Sequence, residues 1–368
     1  MPPAVVHLMG WHSHQYGSFE RFLVALAARC AEAGIASHFV FPSPPASPAF
    51  AAGLAAEIHV LPASRAPGDP RFVAGLRRVL GRTGATHLHA HFGLDAMNAV
   101  AVGRSAGVAA RFATKHVSPG SRRSAAGLRH RWLAAQVQLV FASSEAVGRD
   151  LVELGVPAGK VEVAYLGVDT DAYRPSPELR ASVREELGVP DGRAIVLSCS
   201  HLRPGTGVQQ LPGLASGLAD RGVDAVVVAA GSGPLEVELR VAATLRGLGP
   251  DRFRLLGARE DIPRLLAAAD AYVFAATESE GFPLAPLEAA SAGAATVATA
   301  VSDLPRVLGS VARIVASGNA DSLIGACVDT LSDPNRAALG ERSRRHVLEH
   351  LDVRRSAALH VERYSAAG

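Results

Sequence analysis

Two carboxylates, Glu280 and Glu288, lie eight residues apart in the stretch Thr-Glu-Ser-Glu-Gly-Phe-Pro-Leu-Ala-Pro-Leu-Glu at positions 277–288. An ionised carboxylate only accepts hydrogen bonds, and one such group can take two from neighbouring hydroxyls. Between the two acids, Gly281 marks a turn and Pro283 suits the first turn of a helix. A helix start points unpaired backbone N–H groups and a positive partial charge at one spot, which favours an anion. Phosphate donors beside paired acids predict a nucleotide that carries a hydroxylated group. The apolar run Ala269–Ala276, around Tyr272, Val273 and Phe274, reads as the buried strand that leads into the turn. The helix is expected from about Pro283 to Ala292 with Gly293 as its stop, and Val297-Ala298-Thr299 begins the next strand.

The rest of the chain repeats this strand–helix alternation. Ala4–Met9, Ile35–Phe41, Thr86–His91 and Ala109–Thr114 read as strands, with a helix over about Phe19–Ala33. Ala194–Ser200, Ala225–Ala230, Arg252–Leu256 and Ala271–Ala275 follow in the second half, separated by helices near 207–221, 234–247 and 261–269. Such alternation predicts α/β domains with parallel sheets, whose ligands bind at the carboxyl ends of the strands. At 368 residues the chain fits two domains. The turn-rich segment Gly167–Pro177 is the best linker. It divides residues 1–168 from 169–348, and the Arg-rich helical segment of about 336–364 supplies a last helix, about 349–368, that rejoins the first domain.

The chain is 48% hydrophobic and 19% charged, which fits a globular protein rather than a disordered one. Lys115 and Lys160 are its only lysines, so the positive charge is nearly all arginine. Cys30, Cys199 and Cys327 are far apart in apolar segments, as expected of buried free thiols rather than a disulfide framework or a metal site. The opening residues carry no signal-peptide pattern and no apolar span reaches 18 residues, so a cytoplasmic protein is expected.

Four stretches, in this order, resemble the retaining nucleotide-sugar glycosyltransferases of GT-B architecture, in the large group called family 4. Ser279-Glu280-Gly281-Phe282-Pro283-Leu284 with Glu288-Ala289 matches that group's Glu-x7-Glu signature. Ala142-Ser143-Ser144-Glu145 through Gly167-Val168-Asp169 looks like its approach to the second domain. Gly231-Ser232-Gly233-Pro234 resembles its Gly-x-Gly-Pro turn, and Gly257-Ala258-Arg259-Glu260-Asp261 its nucleobase-side loop. Tyr16-Gly17-Ser18-Phe19-Glu20 extends the match to the N-terminus.

The resemblance implies two Rossmann-like domains that face a central cleft, and a sugar moved from a nucleoside diphosphate to a hydroxyl with retention of configuration. It assigns Glu280 to the transferred sugar, the backbone of Gly281, Phe282, Pro283 and Leu284 to sugar and phosphates, and Glu288 to the ribose hydroxyls. Arg259 and Glu260 would serve the donor, Gly17 its phosphates, and His116 the donor sugar; a purely structural His116 is the alternative. His89 and His91 resemble the group's paired histidines, for which a satisfied core hydrogen bond is the better reading. Two histidines on one strand face without a third ligand do not make a metal site, so neither a metal nor a cofactor is expected, only a UDP- or GDP-linked sugar as co-substrate. Asp169-Thr170-Asp171 spells Asp-x-Asp but falls in the linker, where a turn explains it.

The chain departs from the pattern where the family places Gly-Arg and then Lys-Gly. Here the residues are Ser200-His201-Leu202-Arg203-Pro204-Gly205-Thr206-Gly207, so His201 stands for Arg and Thr206 for Lys. A departing diphosphate needs fixed positive charge. Arg203 or a charged His201 would have to supply it. If neither does, the alternatives are a non-catalytic nucleotide-sugar-binding partner protein or a GT-B sugar-nucleotide epimerase. Residues 300–306 also lack the usual Gly-Gly and Glu, and Leu166 replaces an Asn.

From Ala96 to Ser144 there is no acidic residue, while Arg122, Arg123, Arg129 and Arg131 cluster within 121–132. Two readings stand: a solvated Arg-rich helix, or a surface for an anionic acceptor or for the inner face of a membrane, touched peripherally. Nucleic acid is not expected, because aromatic interleaving and binding motifs are missing. The acceptor, a natural-product scaffold or a lipid-linked hydroxyl, and the oligomeric state are left open by the sequence.

Overall fold

The computed structural model describes residues 2–91, 93–117, 125–278 and 281–367. It forms two compact units: residues 1–167 with 280–282 and 353–368, and residues 168–279 with 283–352.

The first unit holds seven parallel strands: β1 (Ala4–Leu8), β2 (Ala36–Phe41), β3 (Glu57–Val60), β4 (His87–Ala90), β5 (Ala110–Lys115), β6 (Leu139–Ala142) and β7 (Val161–Val163). Their order in the sheet is β3-β2-β1-β4-β5-β6-β7, so the direction of winding reverses between β1 and β4. Parallel sheets are covered on both faces, and the strands are correspondingly apolar; all five residues of β1 are buried. One face packs Leu76, Leu88, Val100 and Val140. The other packs Phe22, Leu26, Phe39 and Phe112 against Val353, Ala357, Val361 and Tyr364. The last four recur at helical spacing along the helix Val353–Ala367, which explains why it offers one continuous apolar stripe.

The second unit has six parallel strands: β8 (Ala194–Cys199), β9 (Ala225–Ala230), β10 (Phe253–Gly257), β11 (Ala271–Phe274), β12 (Ala295–Thr299) and β13 (Arg313–Val315). The order is β10-β9-β8-β11-β12-β13, with the reversal between β8 and β11. Its core gathers Val196, Val227, Val273 and Val297 from four neighbouring strands with Leu214, Leu239 and Leu323 from helices. Ser176 caps the helix Pro177–Glu186 by accepting from the Leu179 N–H, and Pro177 occupies the first turn, where its missing donor is not needed.

Two element boundaries differ from the sequence expectation. The helix after β11 is Ala285–Ser291, so Pro286 and not Pro283 stands in its first turn. Either proline is compatible with a helix start, because a first-turn residue has no intrahelical N–H bond to lose. Gly293 does provide the left-handed stop, at φ 80°. The stretch 336–364 is not one helix but two, Arg336–His350 and Val353–Ala367. The break at Leu351-Asp352 is fixed by the linker, since Val168 N–H donates to Leu351 O and Thr170 Oγ1 to Asp352 Oδ2. Asp169 caps the linker turn by accepting from the N–H groups of Asp171 and Ala172, in keeping with a turn at Asp-x-Asp. The three cysteines are free and buried. Among the described residues, no helix is long and apolar enough to cross a membrane.

Candidate functional site

In the second unit the loops that leave β8, β9 and β11 converge at the carboxyl edge of the sheet, around the point where winding reverses. Gly205 O accepts the N–H of Thr277 at 2.9 Å and of Glu278 at 3.1 Å. Gln210 Nε2 donates to Ala275 O at 3.0 Å. A Cβ on Gly207, whose φ is +71°, would stand 1.8 Å from Ala275 O. The Gly-x-Gly turn is tied in the same way. Leu202 N–H donates to Ser232 O and Leu235 N–H to Leu202 O. A Cβ on Gly231 would meet Ser200 O at 1.9 Å and one on Gly233 would meet Leu202 O at 2.4 Å. These glycines therefore serve the close approach of backbone to backbone, an open carboxyl edge being where ligands of such sheets bind.

Glu288 lies on the helix Ala285–Ser291 and is only 5% exposed. Its negative charge acts on Cys199, the last residue of β8, and on Tyr272 within β11. Burial pushes the Cys199 thiol up, and the Glu288 carboxylate adds to the push. Tyr272 is likewise raised first by burial, with Cys199 and Glu288 as further causes. Glu288 is thus an acid held inside the unit at the reversal point, not a solvated helix position. Pro283 and Leu284 belong to the same unit, and Leu284 O accepts the N–H of Leu287 and Glu288.

His201 and Arg203 are exposed in the loop after β8, and Thr206 Oγ1 donates to Arg203 O at 2.7 Å. Arg259 is engaged by acids: it forms two 2.7 Å bonds to Asp261 and one of 2.8 Å to Glu186. Those contacts hold the Asp261 carboxyl down at about 2. Glu260 sits beside them, exposed. Glu280 and the basic residues Arg122 and Arg123 lie outside the described residues.

Gly281 and Phe282 group with the first unit, where the Phe282 ring lies 4.7 Å from that of Tyr165. A Cβ on Gly281 would come within 2.2 Å of His116 O, so the signature's glycine is required by this approach. Gly17 precedes the helix Ser18–Glu32, and its N–H donates to Glu20 Oε2 at 3.1 Å. His116 stands at the end of β5 with the Phe19 ring edge-on at 5.0 Å. Burial pushes its imidazole down to about 3.

A histidine cluster surrounds it that the sequence did not reveal. His7 on β1, His89 and His91 at β4, and His360 on the last helix are all buried, and burial lowers each of them. His89 is satisfied on both sides, by Tyr364 Oη at 2.5 Å and Thr114 Oγ1 at 2.7 Å. The ring nitrogens of His7 and His91 find no hydrogen-bond partner among the described residues. His7, His89 and His91 each have a nitrogen within 4.8 Å of the others. The third histidine was not legible because β1 and β4 are adjacent in space but eighty residues apart in the chain.

The two parallel-sheet units define the GT-B class. Structural comparison gives a TM-score of 0.80 to HepE of Anabaena in complex with UDP, at 20% identity, covering 99% of this chain and all of that one. A glycosyltransferase of Rickettsia africae aligns with a TM-score of 0.84 at 15% identity, over 100% of this chain and 98% of the other. At such identities both speak to the fold alone. The profile of the glycosyl transferases group 1 matches residues 180–346, and that of Glycosyltransferase Family 4 matches residues 19–172. The chain belongs to the GT-B glycosyltransferases of the family 4 type. It is 31% identical over 199 residues to a GDP-mannose-dependent alpha-(1-6)-phosphatidylinositol monomannoside mannosyltransferase of Mycolicibacterium smegmatis, over 52% of each chain. It thus spans about half the length of the curated relatives it matches.

Proposed function

We propose that this protein is a retaining, metal-independent hexosyltransferase that moves a sugar from a nucleoside diphosphate to an acceptor hydroxyl. The observation that carries the reading is Glu288, a carboxylate 5% exposed where the loops of the second sheet meet. A ribose diol offers two hydrogen-bond donors to one carboxylate. Glu280 is assigned to the transferred sugar and the backbone of 281–284 to sugar and phosphates. Arg203 and His201, with Thr206 beside them, meet the charge that develops on the departing diphosphate. Arg259 and Glu260 are assigned to the base side, Gly17 to the donor phosphates and His116, as a neutral imidazole, to the donor sugar. With retention, the acceptor oxygen ends on the face that the diphosphate leaves.

GDP-mannose is the first donor to test, because the matched relative carries it in its name. The acceptor is a hydroxylated molecule, and an anionic lipid-linked one fits the Arg-rich helix Ala125–Gln136. There Leu128 is 69% and Trp132 41% exposed beside Arg129 and Arg131, a composition suited to peripheral contact with an anionic membrane face from the cytoplasmic side. The division of labour, acceptor with residues 1–168 and 349–368, donor with 169–348, follows the same reading.

The test is incubation with GDP-mannose or UDP-glucose and a panel of acceptors, including phosphatidylinositol mannosides, followed by mass spectrometry and NMR of the new anomeric centre. Transfer with the donor's configuration is expected. Absence of both nucleotide-sugar binding and transfer across the panel would sink the proposal. Thr206 at the family's lysine position favours one second reading, a nucleotide-sugar-binding partner protein. It predicts binding without turnover, and turnover that Arg203→Ala abolishes would exclude it.

A further inference from the structure

We propose that His38, Glu57 and His59 form a binding site for a divalent ion of the zinc class on the edge of the first sheet. The inference is independent of the transferase reading. Glu57 and His59 are two apart on β3, so their side chains leave the same face of the strand. His38 on β2 is the register partner of Glu57 in the parallel ladder, which brings all three onto one patch. None of these positions stood out in the sequence, because His38 and Glu57 meet only through strand pairing.

The spacing of the ligand atoms carries the proposal. His38 Nδ1 and His59 Nε2 are 3.3 Å apart. His38 Nδ1 and Glu57 Oε2 are also 3.3 Å apart, and His59 Nδ1 lies 3.8 Å from Glu57 Oε1. Zinc bound at about 2.0–2.1 Å in a tetrahedron separates its donor atoms by about 3.3–3.4 Å. A single ion can take only one nitrogen of His59; with Nε2 as that ligand, its pair with His38 and the pair of His38 with Glu57 already hold a tetrahedral spacing, and the three residues offer one ligand atom each within 4.8 Å of one another. The imidazoles are mostly covered, at 14% and 11% exposed, while the carboxylate is 55% exposed. Rigid strands thus fix the two nitrogens, and the carboxylate side leaves a fourth position for water.

The buried trio of His7, His89 and His91 is the weaker candidate. It offers no carboxylate to offset a dication away from water, and both nitrogens of His89 are already bonded. At the sheet edge the ion would tie β3, the strand paired on one side only, to β2.

The experiment uses the untagged full chain, stripped with chelator and titrated with zinc chloride by calorimetry. One zinc per chain is expected, with an upward Tm shift of about 5 °C at a hundredfold excess over Kd. Glu57→Gln and His59→Gln should each weaken binding at least tenfold, while His91→Asn should leave it unchanged. Cobalt(II) should give the intense visible bands of a four-coordinate site in the unmodified protein, a readout that needs no variant. Failure to bind zinc, or a six-coordinate cobalt spectrum, overturns the proposal. So does zinc binding that survives Glu57→Gln and His59→Gln, or that is lost on His91→Asn.

Discussion

At the scale of single residues, the proposed site rests on charges whose surroundings can be tested. Glu288→Gln keeps the shape but removes the charge offered to a ribose diol. Losing a charged hydrogen bond of about 1.5–3 kcal/mol should weaken nucleotide binding about 10- to 100-fold, read by calorimetry with GDP. Unchanged affinity would detach Glu288 from the nucleotide. The buried histidines give a second prediction. His7 is held down at about 3 and His360 at about 4, both by burial, against an ordinary value of 6.5. Folding favours their neutral forms, so their stabilisation is complete above pH 6.5 and is lost as pH falls towards 4 and then 3. Each should remove up to about 1.4 kcal/mol per pH unit in that window. Denaturant midpoints should fall from pH 7 to pH 5, and His7→Phe, which keeps a ring stacked on Phe39, should flatten the slope. A slope identical to the parent's would refute the assignment. Glu288 was legible because its motif is local, one loop and one helix turn. His7 and His360 were not, since an apolar run with one histidine gives no sign of what lies across the sheet.

At the scale of elements, the site depends on loops stitched together by backbone contacts. Gly207→Ala and Gly231→Ala would drive a Cβ to within 1.8 and 1.9 Å of carbonyl oxygens. Each should destabilise the protein by more than about 2 kcal/mol in urea unfolding. Gly188→Ala is the matched control, with φ +55° and open space around its Cβ; left-handed strain alone should cost it about 1–2 kcal/mol. Equal losses at all three would mean that strain, not close approach, dominates. Most strands could be read from their apolar runs, to within a residue or two. Four were not: the short edge strands β3, β7 and β13, whose residues are half-buried or exposed and alternate weakly, and β6, whose four-residue apolar run is too short to stand out. The break at Leu351-Asp352 was hidden for another reason: its partners, Val168 and Thr170, lie far upstream in the linker.

At the scale of the molecule, the units are discontinuous in the chain, and the helix Val353–Ala367 belongs to the first of them. Its Val353, Ala357, Val361 and Tyr364 complete the core face laid down by Phe22, Leu26 and Phe39. Deleting residues 353–368 should expose that face and, at about 1.5–3 kcal/mol per large apolar side chain, unfold the first unit. Limited proteolysis should then cut within residues 2–167 and spare 168–352; equal protection of both would contradict the packing described. The doubling of an α/β pattern was plain from the sequence, whereas the loan of residues 281–282 to the first unit has no local signal. The returning helix has a consequence for synthesis. A ribosome delivers residues 1–167 first, yet that unit must wait for the helix Val353–Ala367 to emerge, whereas the second unit is complete by residue 352. Maturation should therefore run against the direction of translation, with the later-made half folded first and the earlier-made half closing last.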